Sequence, residues 1–385
     1  EGGEGGGKEE GKEEKKRVVG GGRGGRGEGK GGGKEEKEKR SKEGEKRRRG
    51  EKGIAMEGVT RVGMASMSAQ AANTERSLCV FDIIGASGDV YNIMKDYKTQ
   101  AAGWGVDLKL KPYTDEKIAA EDLKAGQCDG AVLTGLRVRQ FNSYAGSFEA
   151  VGAIPSYKEL QTVFRVMASG NASINKQLKQ NGYTIAGFAP MGAAYLFVKD
   201  QSIDTVGELS GKSISVMEYA PDQANMASQV GMSPVPSDIT NFAGRFNNDS
   251  VDICFAPVVA YSALELYKGM QPDGGIIRYT LGQLTNQIVL RSDKFSDEFA
   301  AKSRTWMLGQ FDRAMQVIRN AENEVDDKWW IDIPEEDKRR YNEMLREARV
   351  NMTESGIYNK DLMDLLRKVR CKTDPSRAEC TLAME

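Results

Sequence analysis

Residues 203–257, where apolar runs alternate with helix-compatible segments, constrain the fold of this chain more than any other feature. Within them, Ser213–Met217 alternates serine with Ile and Val, and this period of two predicts a strand. A helix-compatible segment follows at 222–230, and Asp238 or the serine before it can cap a second one. Ile253–Pro257 then predicts a short buried strand that ends at a proline. Strands and helices alternating in this order are typical of an α/β domain with a parallel sheet.

The first half of the chain has the same alternation. Apolar runs at 77–84, 105–112 and 131–135 predict strands, and helical patterns at 90–102 and 116–125 separate them. Helical connections of this length predict parallel strands in the order second, first, third, with a ligand outside their carboxyl ends.

Two further segments, 185–198 and 285–290, are extended and apolar enough to cross between the two halves. Pro190 and Gly192 interrupt the first of them, and Gly192 is a candidate hinge. One long helix is predicted at 296–324, because its apolar residues recur at spacings of three and four.

Composition limits the chemistry available to the chain. Its 385 residues suit about two domains with additional segments. Residues 1–53 are nearly all Gly, Glu, Lys and Arg, so they cannot bury enough apolar surface to offset their ordering entropy. Histidine is absent, which excludes Ser-His-Asp and Cys-His catalysis and any His-ligated metal. We predict no catalytic residue, no metal site and no cofactor.

The five cysteines allow two disulfides. Cys371 and Cys380 lie close in sequence, with an Asp-Pro turn between them. Cys79 and Cys128 come near the starts of two predicted strands and can meet if those strands are neighbours. Cys254, inside an apolar strand, is expected to be a buried free thiol. The alternative is five reduced thiols in a cytosolic protein, since disulfides need an oxidising compartment.

The block at 203–257 resembles the second lobe of bacterial solute-binding proteins, in particular the extracytoplasmic receptors of TRAP (tripartite, ATP-independent) transporters. Three segments carry the resemblance, namely Leu-Ser-Gly-Lys at 209–212, Gly-Met-Ser-Pro-Val-Pro at 231–236 and Asn-Asp-Ser-Val-Asp at 248–252. It extends over residues 78–357. It implies an α/β, two-lobed periplasmic-binding-protein-like fold, in which each lobe is a βαβ sheet with flanking helices.

The domain boundaries follow from this resemblance and from the composition. We expect a disordered tail at 1–55, a linker or remnant export signal at 56–76, a first lobe at 77–190 to which 286–325 returns, a second lobe at 191–285, and C-terminal helices at 326–385.

The resemblance implies a receptor that captures a small polar solute in an interlobe cleft and delivers it to the subunits of a membrane transporter. Such a protein is expected to be a periplasmic monomer. The Ala-Gln-Ala at 69–71 is similar to a signal-peptide cleavage site, but the apolar core before it is missing. We expect an export signal that is incomplete in this chain, and the alternative is a chance match. No run of apolar residues is long enough to span a membrane.

Candidate ligand-binding residues lie after the predicted strands of each lobe. The turn at 85–89 is either a ligand-facing loop or an ordinary turn capped by Ser87. Related receptors bind the carboxylate of their ligand with an arginine at the position of Ser215. Because this chain has a serine there, the resemblance does not imply an organic acid as the ligand. Arg137 and Arg139 would face one side of an extended segment and could replace it. The candidate set is Ser87, Asp89, Tyr91, Thr134, Arg137, Arg139, Asn142, Met191, Ser215, Glu218, Tyr219, Asp238 and Pro257.

Two other functions compete with the receptor. An enzyme on the same fold would need strongly shifted pKa values at Asp129, Glu218 or Asp252. Nucleic-acid binding through the tail would use the Gly-Arg-Gly-Gly-Arg-Gly at 22–27, but interleaved glutamates and the lack of aromatic residues argue against a nucleic-acid partner.

Overall fold

One mixed β-sheet runs through the whole folded part of the chain. The computed structural model describes residues 73–382, so the predicted tail and the export-signal remnant before residue 73 lie outside the described residues. Within these residues the strands are β1 (Thr74–Phe81), β2 (Val106–Tyr113), β3 (Gly130–Thr134), β4 (Lys179–Gln180), β5 (Tyr183–Val198), β6 (Ser213–Met217), β7 (Ser233–Ser237), β8 (Ile253–Pro257), β9 (Gly275–Ile277), β10 (Gly282–Arg291) and β11 (Trp330–Ile331).

Helices cover the faces of the sheet and form the C-terminal end. They are α1 (Asp89–Ala102), α2 (Glu116–Lys124), α3 (Gly135–Val138), α4 (Ser143–Gly146), α5 (Tyr157–Ala168), α6 (Ala172–Gln177), α7 (Pro221–Gln229), α8 (Phe242–Asn247), α9 (Ala260–Ala263), α10 (Leu266–Met270), α11 (Asp297–Gly309), α12 (Phe311–Glu324), α13 (Glu335–Glu354), α14 (Lys360–Thr373) and α15 (Ala378–Leu382). None of the described helices is both long and apolar enough to cross a membrane.

The sheet divides into two lobes built in the same way. Its main strand order is β2-β1-β3-β10-β5-β8-β6-β7. In the first lobe β1 pairs in parallel with β2 and β3, which is the order predicted from the sequence. In the second lobe β6 pairs in parallel with β7 and β8. The predicted α/β, two-lobed fold is confirmed.

Both lobes use the same serine–aspartate contact to set the strand register. In the first lobe the Asp129 carboxylate accepts hydrogen bonds from the backbone N–H and hydroxyl of Ser77, at 2.8 and 3.1 Å. In the second lobe Asp252 accepts from the N–H and hydroxyl of Ser213, at 2.8 and 2.7 Å. Each aspartate precedes a central strand, at its amino end. Asp129 and Asp252 therefore hold neighbouring strands together on the edge opposite the predicted ligand.

Two antiparallel strands, β5 and β10, join the lobes. β10 pairs with β3 of the first lobe, and the end of β5 pairs with β8 of the second. The two strands pair with each other, with a bulge where Pro190 faces Thr285 and Gly192 faces Leu284. Met191 is the extra residue, and Gly192 has φ +117, a conformation that favours glycine. The predicted interruption is thus a bulge within one continuous strand.

Three local predictions from the sequence are wrong. Arg137 lies in helix α3 and Arg139 at its end, because the Thr134 hydroxyl caps this turn by accepting from the N–H of Arg137 at 3.4 Å. Residues two apart on a helix do not share a face. The predicted helix at 296–324 is two helices that meet at Gln310. Asn241, not Ser237 or Asp238, stands at the start of α8.

The structure joins the cysteines in the two pairs considered above. Cys79 of β1 is bonded to Cys128, with their Cα atoms 5.9 Å apart, and Cys371 to Cys380, with their Cα atoms 5.5 Å apart. Cys254 is free and buried, as expected, and its burial raises the pKa of the thiol.

Candidate functional site

A cavity of about 190 Å³ lies between the lobes, at the carboxyl ends of β1, β3 and β8. Parallel α/β sheets bind ligands at this edge. The first lobe contributes the end of β1 and one side of α1, the second lobe the end of β8 and residues near α8 and α9, and the joining strands and α12 close it. Its apolar walls include Phe81, Ile84, Val90, Ile93, Met94, Val132, Met191, Ile239, Phe242, Pro257, Val259, Leu264, Ile288, Val317 and Ile318.

One polar spot interrupts this apolar surface. Asn286 of β10 faces Thr134 of β3 directly in the antiparallel register, and both side chains line the cavity. Asn286 is 7% exposed, and within the described part of the chain its amide makes no hydrogen bond to another residue. The bulge in β5 places Met191 in the wall near by. An amide that lines a cavity and has no protein partner has donors and an acceptor available for a ligand.

The glycine-rich turn before α1 is filled by a side chain of the protein. The Asp82 carboxylate accepts from the backbone N–H groups of Ile84 and Tyr91, at 2.9 and 3.1 Å. It packs so closely on Gly88 that a Cβ there would lie 2.0 Å from an Asp82 oxygen. Ser87 is exposed and does not cap α1, so both interpretations of this turn miss the part played by Asp82.

Arg139 joins the first lobe to the second. Its guanidinium makes two parallel hydrogen bonds to the carboxylate of Asp222 on α7, at 2.8 and 2.9 Å. Asp222 is 1% exposed and also accepts from the hydroxyl of Tyr358, which follows α13, at 2.9 Å. This Arg139–Asp222–Tyr358 contact therefore links both lobes and the C-terminal helices.

Arg137 makes a second contact between the lobes. Its guanidinium lies 3.4 Å from the ring centroid of Tyr219 in the second lobe, and its Nε lies 3.5 Å from the carboxylate of Glu116. Glu116 also accepts from the Tyr219 hydroxyl and from the N–H of Thr134, at 3.3 and 2.5 Å. Burial raises the pKa of Glu116, an effect that the charge of Arg137 opposes. Both arginines thus have carboxylate partners within the protein.

Ser215 is shut in by its neighbours. It is 3% exposed and donates to the hydroxyl of Ser237 at 2.6 Å. The cavity beside it holds about 20 Å³, room for one water molecule and not for a solute. Glu149 lines the same small cavity, and burial raises its pKa to about 7.

The remaining candidates are dispersed. Asp89, Thr134, Met191 and Pro257 line the large cavity. Asn142 caps α4, Glu218 is paired with Lys117 at 3.7 Å, and Asp238 accepts from Thr240 and Asn241 in a turn. Tyr91 is half-buried beneath the amine of Lys95. No group of acidic or cysteine side chains in residues 73–382 is arranged to hold a metal ion.

Sequence reasoning missed Asn286, Asp82 and Tyr358. A signal was present for Asn286, because Thr-Asn-Gln is an unusually polar opening for a strand expected to be buried. Nothing local identifies Tyr358, whose hydrogen bond to Asp222 spans 136 residues.

Comparisons with known proteins agree on the family and on the fold. A family model described as "Solute-binding protein AdeT 1/2" matches residues 102–385. The "Probable solute-binding protein AdeT1" of Acinetobacter baumannii is 44% identical over 303 residues, which are 79% of this chain and 99% of that protein. The "Probable solute-binding protein AdeT2" of the same organism is 27% identical over 242 residues, 62% of this chain and 99% of that protein.

Solved structures of TRAP periplasmic solute-binding proteins share the fold. One from Desulfovibrio salexigens, with bound orotic acid, has a TM-score of 0.66 and 12% identity, covering 78% of this chain and 99% of that one. One from Haemophilus influenzae, with bound L-gulonate, has a TM-score of 0.64 and 12% identity, covering 77% and 100%. At these identities the likeness shows the fold alone.

Proposed function

The chain belongs to the solute-binding protein AdeT 1/2 family, and from that premise we propose that it captures a small solute in the cavity between its lobes and delivers it to a membrane transporter. The cavity at the carboxyl ends of β1, β3 and β8, lined by both lobes, is the observation that carries this proposal. A solute in it would touch both lobes, the joining strands and α12, so its binding energy would favour the closed arrangement.

The joining strands and the interlobe contacts supply a means of opening and closing. The bulge at Met191 and the positive φ of Gly192 lie where β5 passes between the lobes, and this point would serve as the hinge. Arg137 and Arg139 of the first lobe contact Tyr219 and Asp222 of the second. Lobe opening would separate these pairs and expose the cavity.

The receptor would act outside the cytoplasm. Two disulfides fit an oxidising compartment, and the solved structures of this fold named above are periplasmic proteins. The transporter would bind a surface that spans the outer faces of both lobes, because these faces would come together in one surface only when the lobes are closed.

Mass spectrometry of small molecules released from the purified chain tests this function. Full-length protein, purified without refolding, is denatured, and the released molecules are compared with those from Val317→Trp, which fills the cavity. Val369→Trp, a partly buried position on α14 outside the cavity, is the control.

We expect a molecule that is released by the wild type and by the control but not by Val317→Trp. Identical release from all three proteins would contradict solute capture in this cavity.

A further inference from the structure

The lining of the interlobe cavity also restricts the kind of solute. Resting on the proposed function, we propose that the solute is an uncharged, largely apolar molecule with one hydrogen-bonding group directed at Asn286 and Thr134. The sequence predicts a small polar solute, whereas the cavity favours a molecule that is polar at one end only.

Charge is the first argument. The charged residues among the described lining are Asp82 and Asp89, and neither Arg nor Lys is among them. Arg137 and Arg139 bind Glu116 and Asp222 instead. A carboxylate solute would lie next to two carboxylates and gain no cation, and wherever the apolar walls remove its water the unpaired charge costs several kcal/mol. The organic acids bound by structures of similar fold therefore suit this cavity poorly.

A cationic solute also lacks a suitable partner. Both Asp82 oxygens already accept backbone N–H groups, and Asp89 is an exposed residue in the first turn of α1. An ammonium group next to Asp89 would stay in contact with water, so it would gain little from that pair.

The polar spot is the second argument. The Asn286 amide is neutral, belongs to a residue only 7% exposed, and has no hydrogen-bond partner in the described residues. The Thr134 hydroxyl beside it accepts from the N–H of Arg137 and donates to the Glu116 carboxylate, so it has only a lone pair to offer a solute donor. A hydroxyl, carbonyl or amide on the solute would satisfy the Asn286 amide, whereas a wholly apolar solute would leave that amide unpaired at a cost of about 1–3 kcal/mol.

Size is the third argument. An apolar cavity of about 150 Å³ holds benzene, and this cavity has about 190 Å³. A single substituted ring or a branched chain of similar volume fits. Ile84, 58% exposed, also lines the cavity and adds apolar surface where it meets solvent.

Isothermal titration of the full chain with benzyl alcohol, benzoate and benzylammonium tests the charge argument. The three probes share a ring and differ in the charge of one group. We expect benzyl alcohol to bind about tenfold or more tightly than either ion. Tighter binding of benzoate or benzylammonium would overturn the proposal. If Val317→Trp abolished the binding of that charged probe, the cavity would still be the solute site. The proposed function would then stand, and only the proposed class of solute would be wrong.

Asn286→Leu tests the polar spot. We expect the variant to bind toluene at least as well as the wild type does and to lose its preference for benzyl alcohol over toluene. Retained toluene binding shows that the variant is folded. An unchanged preference would contradict a hydrogen bond to Asn286. Failure of the wild type to bind any of the four probes, or binding that Val317→Trp leaves unchanged, would count against both the solute class and the cavity as the binding site.

Discussion

Replacing Glu149 with glutamine removes a buried carboxyl group whose ionisation opposes folding near neutral pH. One Glu149 oxygen accepts from the N–H of Gly135 and from the N–H and hydroxyl of Thr285, at 3.1, 2.6 and 2.9 Å. The other oxygen is buried and has no hydrogen-bond partner among the described residues. Burial is the main cause that raises the pKa of this carboxyl from 4.5 to about 7, and the Thr285 hydrogen bonds oppose the rise.

The sign of the pH dependence follows from proton binding. Between pH 4.5 and 7 the folded chain holds a proton on Glu149 that the unfolded chain has lost, so the free energy of unfolding falls as pH rises. Each pKa unit corresponds to about 1.4 kcal/mol. The raised pKa of Glu149 therefore lowers the free energy of unfolding by on the order of 3 kcal/mol once the pH is above 7. Glu149→Gln keeps the acceptor for Gly135 and Thr285 and stays neutral throughout.

Urea unfolding followed by tryptophan fluorescence from pH 4.5 to 8 measures this difference. We expect Glu149→Gln to gain stability relative to the wild type as pH rises, by on the order of 3 kcal/mol at pH 8. Glu354→Gln, at the exposed end of α13, controls for the loss of one negative charge. A difference that does not change with pH, or one that changes in the opposite direction, would refute the reasoning.

Three other changes have predicted outcomes. Arg139→Met leaves the buried Asp222 carboxylate with the Tyr358 hydroxyl as its one partner among the described residues, so we expect urea unfolding to show a free energy of unfolding lower by about 3–5 kcal/mol. Adding Asp222→Leu should recover most of this loss, and effects of the two changes that simply add would contradict a direct pair. Non-reducing peptide mapping should recover Cys79 joined to Cys128 and Cys371 joined to Cys380, and full alkylation of the native chain would exclude both bonds. Cys79→Ala should lower the free energy of unfolding by about 4 kcal/mol, because 49 residues separate the first pair. Gly192→Ala should cost about 1–2 kcal/mol, since an L residue resists its positive φ; an unchanged urea midpoint would show that the bulge relaxes freely.

The sequence predicted the elements that have strong local patterns. Ser213–Met217 and Ile253–Pro257 are strands with the predicted bounds, because alternation and a terminal proline are local signals. The strand order of the first lobe followed from its helical connections. The order of the elements and their parallel pairing therefore predict the edge of the sheet at which the cavity lies.

The site was less predictable, because its contacts join distant parts of the chain. The segment after β3, expected to be extended, is a short helix capped by Thr134, so Arg137 and Arg139 point in other directions than predicted. Their partners, Tyr219 and Asp222, are about 80 residues away along the chain, with the second pair separated by 83. No local pattern shows which carboxylate an arginine meets, and that pairing decides whether the arginine is available to a ligand.

A crystal structure of the full chain grown with benzyl alcohol tests the solute site most directly. We predict electron density for the probe between Met191, Pro257 and Asn286, with its hydroxyl within hydrogen-bond distance of the Asn286 amide. An empty cavity in the presence of bound probe elsewhere, or a chain whose lobes leave no cavity at this edge of the sheet, would contradict a solute held between the lobes.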